Sequence, residues 1–105
     1  MKNDKRNKHI EDVLTSVGHA FNIDPVDMVT PGLPGSRDVS TGRQVAAILL
    51  NQRLGSVKTG QLLGKRGHQY ASGARVGILK RGRQDSRLWK RVVSLCHKYS
   101  VEIPH

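Results

Sequence analysis

The chain has 105 residues, of which 36% are hydrophobic and 4% aromatic, and its formal net charge is +10. This size suits one compact domain with a modest aliphatic core, and it argues against a large internal cavity. No apolar run is long enough to span a bilayer, and the first residues lack an apolar signal region, so we expect a soluble intracellular protein. The single cysteine, Cys96, excludes an internal disulfide, and its place in an apolar helical stripe indicates a buried thiol.

The excess positive charge is confined to one segment. Residues 1–52 and 92–105 hold equal numbers of basic and acidic side chains, whereas residues 53–91 hold eleven Lys/Arg and one Asp. Phosphate binding with release of counterions explains this concentration directly. A basic surface without a partner is one alternative. An anionic membrane is another, but no strongly amphipathic helix carries large apolar groups opposite these cations.

Hydrophobic periodicity predicts an all-α domain of about five helices. The first helix covers residues 9–22, with Asn7 as a plausible N-cap, and follows a flexible segment at residues 1–8. Asp24 caps a short helical turn in which Pro25 takes the first position.

A loop rich in proline and glycine is predicted at residues 30–38. The next helix begins at Ser40 or Thr41 and runs to about Leu54. Arg43 in its first turn opposes the helix dipole, which suggests either a nearby anion or an ordinary surface arginine. The chain breaks at Gly55 and Ser56. The later elements are a short helix at residues 57–63, a turn at 64–67, a helix at about 67–81 and a last helix that Asp85 or Ser86 caps.

The helix at about 67–81 has two contrasting faces. The buried face carries small or aliphatic side chains at helical spacing: Ala71, Ala74 and Ile78. The opposite face begins with hydrogen-bonding groups: His68, Gln69 and Ser72. Free backbone N–H groups and a partial positive charge at the helix start also suit phosphate. The pattern fits helix-turn-helix docking, in which the second helix meets base edges, although a core helix with a solvated basic face is the plainer alternative.

Two glycines lie within this predicted recognition helix. Gly73 and Gly77 each lower intrinsic helix stability by roughly 1 kcal/mol relative to alanine. Their presence predicts that another backbone or a DNA strand approaches closely, unless the helix is shorter or looser than the pattern indicates.

Two segments carry a family resemblance. Residues 37–46 are similar to a basic loop entering a helix with an Arg-Gln pair. Residues 62–74 resemble a signature ending in Gly-Arg-Asp-His-Thr-Thr-Val, which Arg66 and His68 match by identity. On these segments the chain resembles, over residues 10–99, the C-terminal DNA-binding domain of the bacterial replication initiator DnaA.

This sequence also departs from the family pattern. Gly67 replaces the signature aspartate, and Gln69 and Tyr70 replace its two threonines. Gly35 stands where the family usually has a loop arginine, and the stretch between residues 54 and 64 is shorter than usual. Because residues of the base-reading signature differ, we expect a DNA site different from the sequence that the family usually binds.

The resemblance implies a helix-turn-helix of the Trp-repressor-like, DnaA C-terminal type, spanning residues 9–100 and followed by a tail at 101–105. In the family the signature Arg and His belong to the major-groove reading segment, the basic loop reaches the minor groove and the Arg-Gln helix start meets phosphate. A loop contact is therefore expected near residues 35–43. We expect base-facing side chains at Arg66, His68, Gln69 and Ser72. We expect side chains facing phosphate or a groove at Arg37, Arg43, Lys58, Lys65, Arg75 and Lys80.

The expected partner is double-stranded DNA, in the cytoplasm and associated with the nucleoid, and the oligomeric state is left open. A structured-RNA or single-stranded nucleic-acid binder is the alternative, but such modules stack bases on exposed aromatic side chains, of which the sequence offers few. The five histidines show no metal-ligand spacing with Cys96, and no catalytic constellation is present, so we expect no enzyme, metal or cofactor. Residues 60–66 resemble a P-loop only superficially, because the glycine spacing is short and arginine replaces Ser/Thr, so we expect no nucleotide.

Overall fold

The chain forms five helices in a computed structural model that describes the backbone of residues 4–31 and 36–105 and the side chains from residue 7 onward within these ranges. The helices are α1 (Asp4–Phe21), α2 (Pro25–Val29), α3 (Arg37–Leu62), α4 (Tyr70–Gly82) and α5 (Ser86–Lys98). These ranges contain no strand. The predicted all-α domain of about five helices is confirmed. No helix in the described ranges has the length and apolar character that a membrane crossing requires.

Helix α1 begins earlier than the periodicity predicted. It starts at Asp4, so the predicted N-cap at Asn7 is wrong. The predicted flexibility of residues 1–8 stays a prediction, and residues 1–3 lie outside the described part. The polar residues after Asp4 include lysine and arginine, which are good helix formers, and an acidic residue at a helix start is favourable. The apolar stripe marks only the part of the helix that packs on the core, which includes the buried Val13 and Val17.

Helices α2 and α3 both begin at capped residues. The Asp24 carboxylate accepts a hydrogen bond from the Val26 N–H at 3.0 Å, and Pro25 occupies the first helical position, as predicted. Helix α3 begins at Arg37, before the predicted Ser40 or Thr41, because Ser36 Oγ accepts a hydrogen bond from the backbone of the first turn. The predicted loop is correspondingly shorter, and its residues 32–35 lie outside the described part.

Helix α3 has two arms separated by a kink. Gly55 adopts φ 80° and ψ 165°, which are not helical angles, so the break predicted at this position is confirmed. The first arm, residues 37–54, crosses the core and buries Val45, Leu49 and Leu50. The second arm, residues 56–62, leads into the turn before α4.

The turn, residues 63–69, lies directly on the second arm. Leu63 is fully buried, and Gly64 and Lys65 both adopt positive φ, which reverses the chain. The Arg66 N–H donates to the Gly60 carbonyl at 2.7 Å. A Cβ on Gly60 would lie 2.4 Å from the Gly67 carbonyl oxygen and 2.5 Å from the Arg66 carbonyl oxygen. Glycine is therefore required at position 60 for the turn to approach this closely.

Helices α4 and α5 complete the core. Helix α4 buries the predicted Ala71, Ala74 and Ile78 against the rest of the domain. Asp85 caps α5 by accepting hydrogen bonds from two backbone N–H groups, which confirms one of the two predicted caps.

The chain end folds back after α5. The Val101 N–H donates to the Cys96 carbonyl at 2.8 Å, and Pro104 is fully buried. The segment predicted as a tail at 101–105 is therefore packed against the domain.

We expect Gly60→Ala to lower the free energy of unfolding by about 1–3 kcal/mol, because the added methyl overlaps two carbonyl oxygens that belong to backbone. Urea unfolding followed by far-ultraviolet circular dichroism measures the change. Gly73→Ala is the matched control, since a Cβ there meets no atom within 4 Å, and it should raise stability by about 1 kcal/mol. Equal effects of the two substitutions would contradict the close approach at Gly60.

Candidate nucleic-acid interface

One face of α4 is left uncovered by the rest of the domain, and we call it the outward face. Its members recur at helical spacing, and all are exposed: Gln69, Ser72, Gly73, Val76 and Lys80. The face is about 16 Å long at the rise of an α-helix. It lies opposite the buried Ala71, Ala74 and Ile78, so the predicted division of this helix into two faces is confirmed.

The turn adds cationic groups to the N-terminal end of the outward face. Lys65, Arg66 and His68 are all exposed there. Arg66 is oriented by its surroundings, because its Nε donates to the Leu63 carbonyl at 3.2 Å and its guanidinium lies 4.9 Å from the centre of the Tyr70 ring. Burial raises the pKa of the Tyr70 phenol, and the positive charges of Arg66 and Arg43 oppose part of that rise. Tyr70 therefore stays neutral at physiological pH beneath the arginine.

The exposed side chain of Gln69 is available to bind a ligand. It occupies the N-cap position of α4, but its side chain makes no capping hydrogen bond. Its amide therefore keeps both the donor and the acceptor that bidentate binding of adenine needs.

Gly73 and Val76 make the middle of the outward face flat and apolar. A Cβ on Gly73 would meet nothing within 4 Å, so no contact inside the protein requires glycine there. A Cβ on Gly77, by contrast, would lie 3.4 Å from the Gln44 amide nitrogen. Val76 is 66% exposed and is a residue that the sequence analysis did not select, although it lies on the predicted outward face. An exposed methyl group of this kind can contact the methyl group of thymine.

Arg43 does not have the predicted position. Its side chain is only 3% exposed, its Nε donates to the Met28 carbonyl at 3.0 Å, and a terminal nitrogen donates to the Asp27 carbonyl at 2.9 Å. These carbonyls belong to the last turn of the short helix α2. The helix ends before it can supply backbone N–H groups to them, so the Arg43 guanidinium donates the hydrogen bonds instead. The prediction that Arg43 faces phosphate is wrong, because its charge is used inside the domain.

Two further predicted cations lie away from the outward face. Arg75 follows the buried Ala74 by one residue, and it lines a cleft beside Asn51 and Glu102 on the flank of α4. Lys58 is exposed but lies two residues before Gly60, which places it on the opposite side of the second arm from the turn. Neither residue belongs to the outward face, and their predicted contact with phosphate or a groove stays a prediction.

Arg37 lies at the other end of α4 from the turn. It lines a cleft with Arg81, which belongs to the last turn of α4. The residues on either side of the undescribed part of the predicted loop are Thr30, which approaches the turn at Gly64, and Ser36, which caps α3 next to Arg37. Gly35, where a loop contact was predicted to begin, lies outside the described residues.

The described residues contain no group of three or more His, Cys, Asp or Glu side chains that could hold a metal ion. Cys96 is buried, as predicted. Burial raises the pKa of its thiol, and the charge of Arg75 opposes that rise, so the thiol stays protonated and is a poor nucleophile.

Comparisons with protein-family models, curated proteins and solved structures found no match. The resemblance to the DnaA C-terminal domain stays a prediction.

We expect Arg43→Met to lower the free energy of unfolding by about 2 kcal/mol or more, because two carbonyl groups lose their hydrogen-bond donor in a buried position. Lys58→Met removes the same charge from an exposed position of the same helix and should change stability by no more than about 0.5 kcal/mol. Thermal and urea unfolding of both variants provide the comparison. A stable Arg43→Met protein would show that this guanidinium does not anchor α2.

Proposed function

We propose that this protein binds double-stranded DNA through a helix-turn-helix, formed by the second arm of α3, the turn and α4. The outward face of α4 enters the major groove, and its N-terminal end meets the base edges. One observation carries the proposal: the only uncovered long face of α4 begins with the free Gln69 amide beside the exposed cations of the turn. A core helix with a solvated basic face would not need a bare glycine in the middle of that face.

The residues of the interface have separable roles. Gln69 is suited to an adenine and Arg66 to a guanine, because each presents two hydrogen-bonding groups in the required geometry. His68 and Ser72 lie beside them and offer further hydrogen bonds. Lys65 and Lys80 lie at opposite ends of the face and are suited to the phosphates on either side of the groove.

The loop provides a second element next to the duplex. Its two described ends lie near α4, with Thr30 beside the turn and Arg37 beside the last turn of the helix. In the family that the chain resembles, the corresponding loop reaches the minor groove. Phosphate contacts by Arg37 at the end of this loop would fix the orientation of α4 without contributing sequence preference.

The positions of the aromatic side chains disfavour the alternative of single-stranded or structured-RNA binding. Phe21 is buried, and the Tyr99 hydroxyl is hydrogen-bonded to Asp12 in α1. Tyr70 lies beneath Arg66, and Trp89 packs on Gly82. Among the described residues, none of these four side chains is fully exposed, so they offer a poor platform for stacking bases.

Selection of duplexes from a random pool identifies the preferred site, and Gln69→Ala then tests the assignment. We expect this variant to lose about 1–3 kcal/mol of preference at one base pair and little affinity for random duplex. Lys65→Ala should weaken binding to selected and random duplexes alike and should reduce the salt dependence. Equal losses on both duplexes for Gln69→Ala would refute base reading. Tighter binding of single-stranded RNA across a salt series would favour the alternative function.

Gly73→Ala separates the stability of the fold from DNA binding. The variant should be about 1 kcal/mol more stable and yet bind the selected duplex about 1–3 kcal/mol more weakly, because the methyl enlarges a face that must fit into the groove. Ser94→Ala on the exposed side of α5 is the control, since it also favours the helix but should leave affinity unchanged. Unchanged affinity of Gly73→Ala would place the duplex elsewhere on the protein.

A further inference from the structure

A second cationic feature lies apart from the outward face. A cleft of about 450 Å³ separates the first turns of α3 and α5 from the last turn of α4. Four arginines line it: Arg37, Arg81, Arg87 and Arg91. Only Arg37 was predicted from the sequence as a site residue, because the four arginines belong to three helices and are brought to one cleft by the tertiary fold. We refer to this feature as the arginine cleft.

Two of the arginines are held in place by neighbouring side chains. Arg81 donates to the Thr41 hydroxyl and, at 3.2 Å, to the Gln44 amide oxygen. The Arg91 guanidinium lies 5.6 Å from the centre of the Phe21 ring. These contacts pre-organise positive charge at the wall of the cleft, so an anion would not have to order the side chains itself.

The acidic side chains of the cleft do not neutralise it. Asp38 and Asp85 also line the cleft, but neither carboxylate forms an ion pair with an arginine or a lysine within the described part of the chain. Asp85 uses a carboxylate oxygen to cap α5, where it accepts from the Arg87 and Leu88 N–H groups. Four arginines therefore line the cleft with only two acidic residues among them.

Arg37 and Arg87 lie at positions where a positive charge lowers the stability of the fold. Arg37 is the first residue of α3, and Arg87 is the second residue of α5. A cation in the first turn of a helix interacts unfavourably with the helix dipole. An anion in the cleft would reverse this effect, because it would meet both the guanidinium groups and the positive ends of two helices.

We propose that the arginine cleft binds phosphate groups and that its occupant is the sugar–phosphate backbone of nucleic acid, outside the segment that α4 reads. Arginine matches phosphate oxygens with paired N–H donors, and the cleft can contact a backbone that passes the C-terminal end of α4. The choice of nucleic acid rests on the proposed function, whereas the affinity of the cleft for phosphate does not. A small polyphosphate shares the chemistry and is the competing occupant.

The test uses two double variants of equal charge in the full chain. Arg37→Gln with Arg87→Gln removes two cations from the cleft, and Arg53→Gln with Arg83→Gln removes two exposed cations outside it. The cleft variant should reduce the slope of log affinity against log salt on duplex DNA by about two, since each lost phosphate contact accounts for about one. The control should reduce the slope much less. The cleft variant should also keep the thermal stability of the parent protein or exceed it.

Sodium tripolyphosphate provides the second measurement. It should raise the melting temperature of the parent protein and of the control in a concentration-dependent manner, but not that of the cleft variant. Equal responses of the two variants to duplex and to tripolyphosphate would overturn the proposal, because they would show a general charge effect. A cleft-dependent response to tripolyphosphate without any effect on duplex binding would overturn the nucleic-acid occupant.

The outcome is distinguishable from the failure of the proposed function. If the Gln69-dependent base preference persists while the cleft and control variants behave alike, only the cleft proposal fails. If tripolyphosphate binds through the cleft but no duplex is bound, the proposed function fails together with the nucleic-acid occupant, and the phosphate chemistry of the cleft remains.

Discussion

The contact between Gly60 and the backbone of the turn determines what α4 can present. The Gly60 carbonyl accepts from the Arg66 N–H, and the missing side chain lets the Arg66 and Gly67 carbonyls lie against the second arm. A wider turn would tilt α4 and lift Ala71 and Ala74 away from the first arm. With the turn closed, these small residues are buried and the opposite face remains uncovered. The close approach of the turn to Gly60 and the exposure of the outward face therefore depend on the same contact.

The parts of the fold that depend on local chemistry were predictable from the sequence. Asp24 and Asp85 cap helices because their carboxylates reach nearby backbone N–H groups, and the spacing of Ala71, Ala74 and Ile78 defines the buried face of α4. The function of Gly60 was not predictable, because helix propensity registers a glycine only as a weakness. The atoms that pack against Gly60 are backbone atoms of the turn, so they can be identified only when the conformation of the turn is known.

The site was predictable in outline but not residue by residue. The exposed cations of the turn and the outward face follow from helical spacing, whereas Arg43 depends on where the carbonyl groups of α2 lie in space. A charge count treats Arg43, Arg75 and Arg87 alike. In the structure they satisfy helix carbonyls, line the flank of α4 and face the arginine cleft, respectively. Only tertiary placement distinguishes a cation used by the fold from one available to a ligand.

Several residues at the two proposed sites oppose the stability of the domain. Gly73 weakens α4 without any packing reason, and Arg37 and Arg87 place cations at helix starts. Other positions follow local rules: acidic residues cap α2 and α5, and glycine occupies position 60, where two backbone segments meet. Local rules are expected to fail mainly where function requires it. Arg37 and Arg87 in the arginine cleft are two such exceptions, and a phosphate-bearing partner there would turn their cost into a favourable interaction.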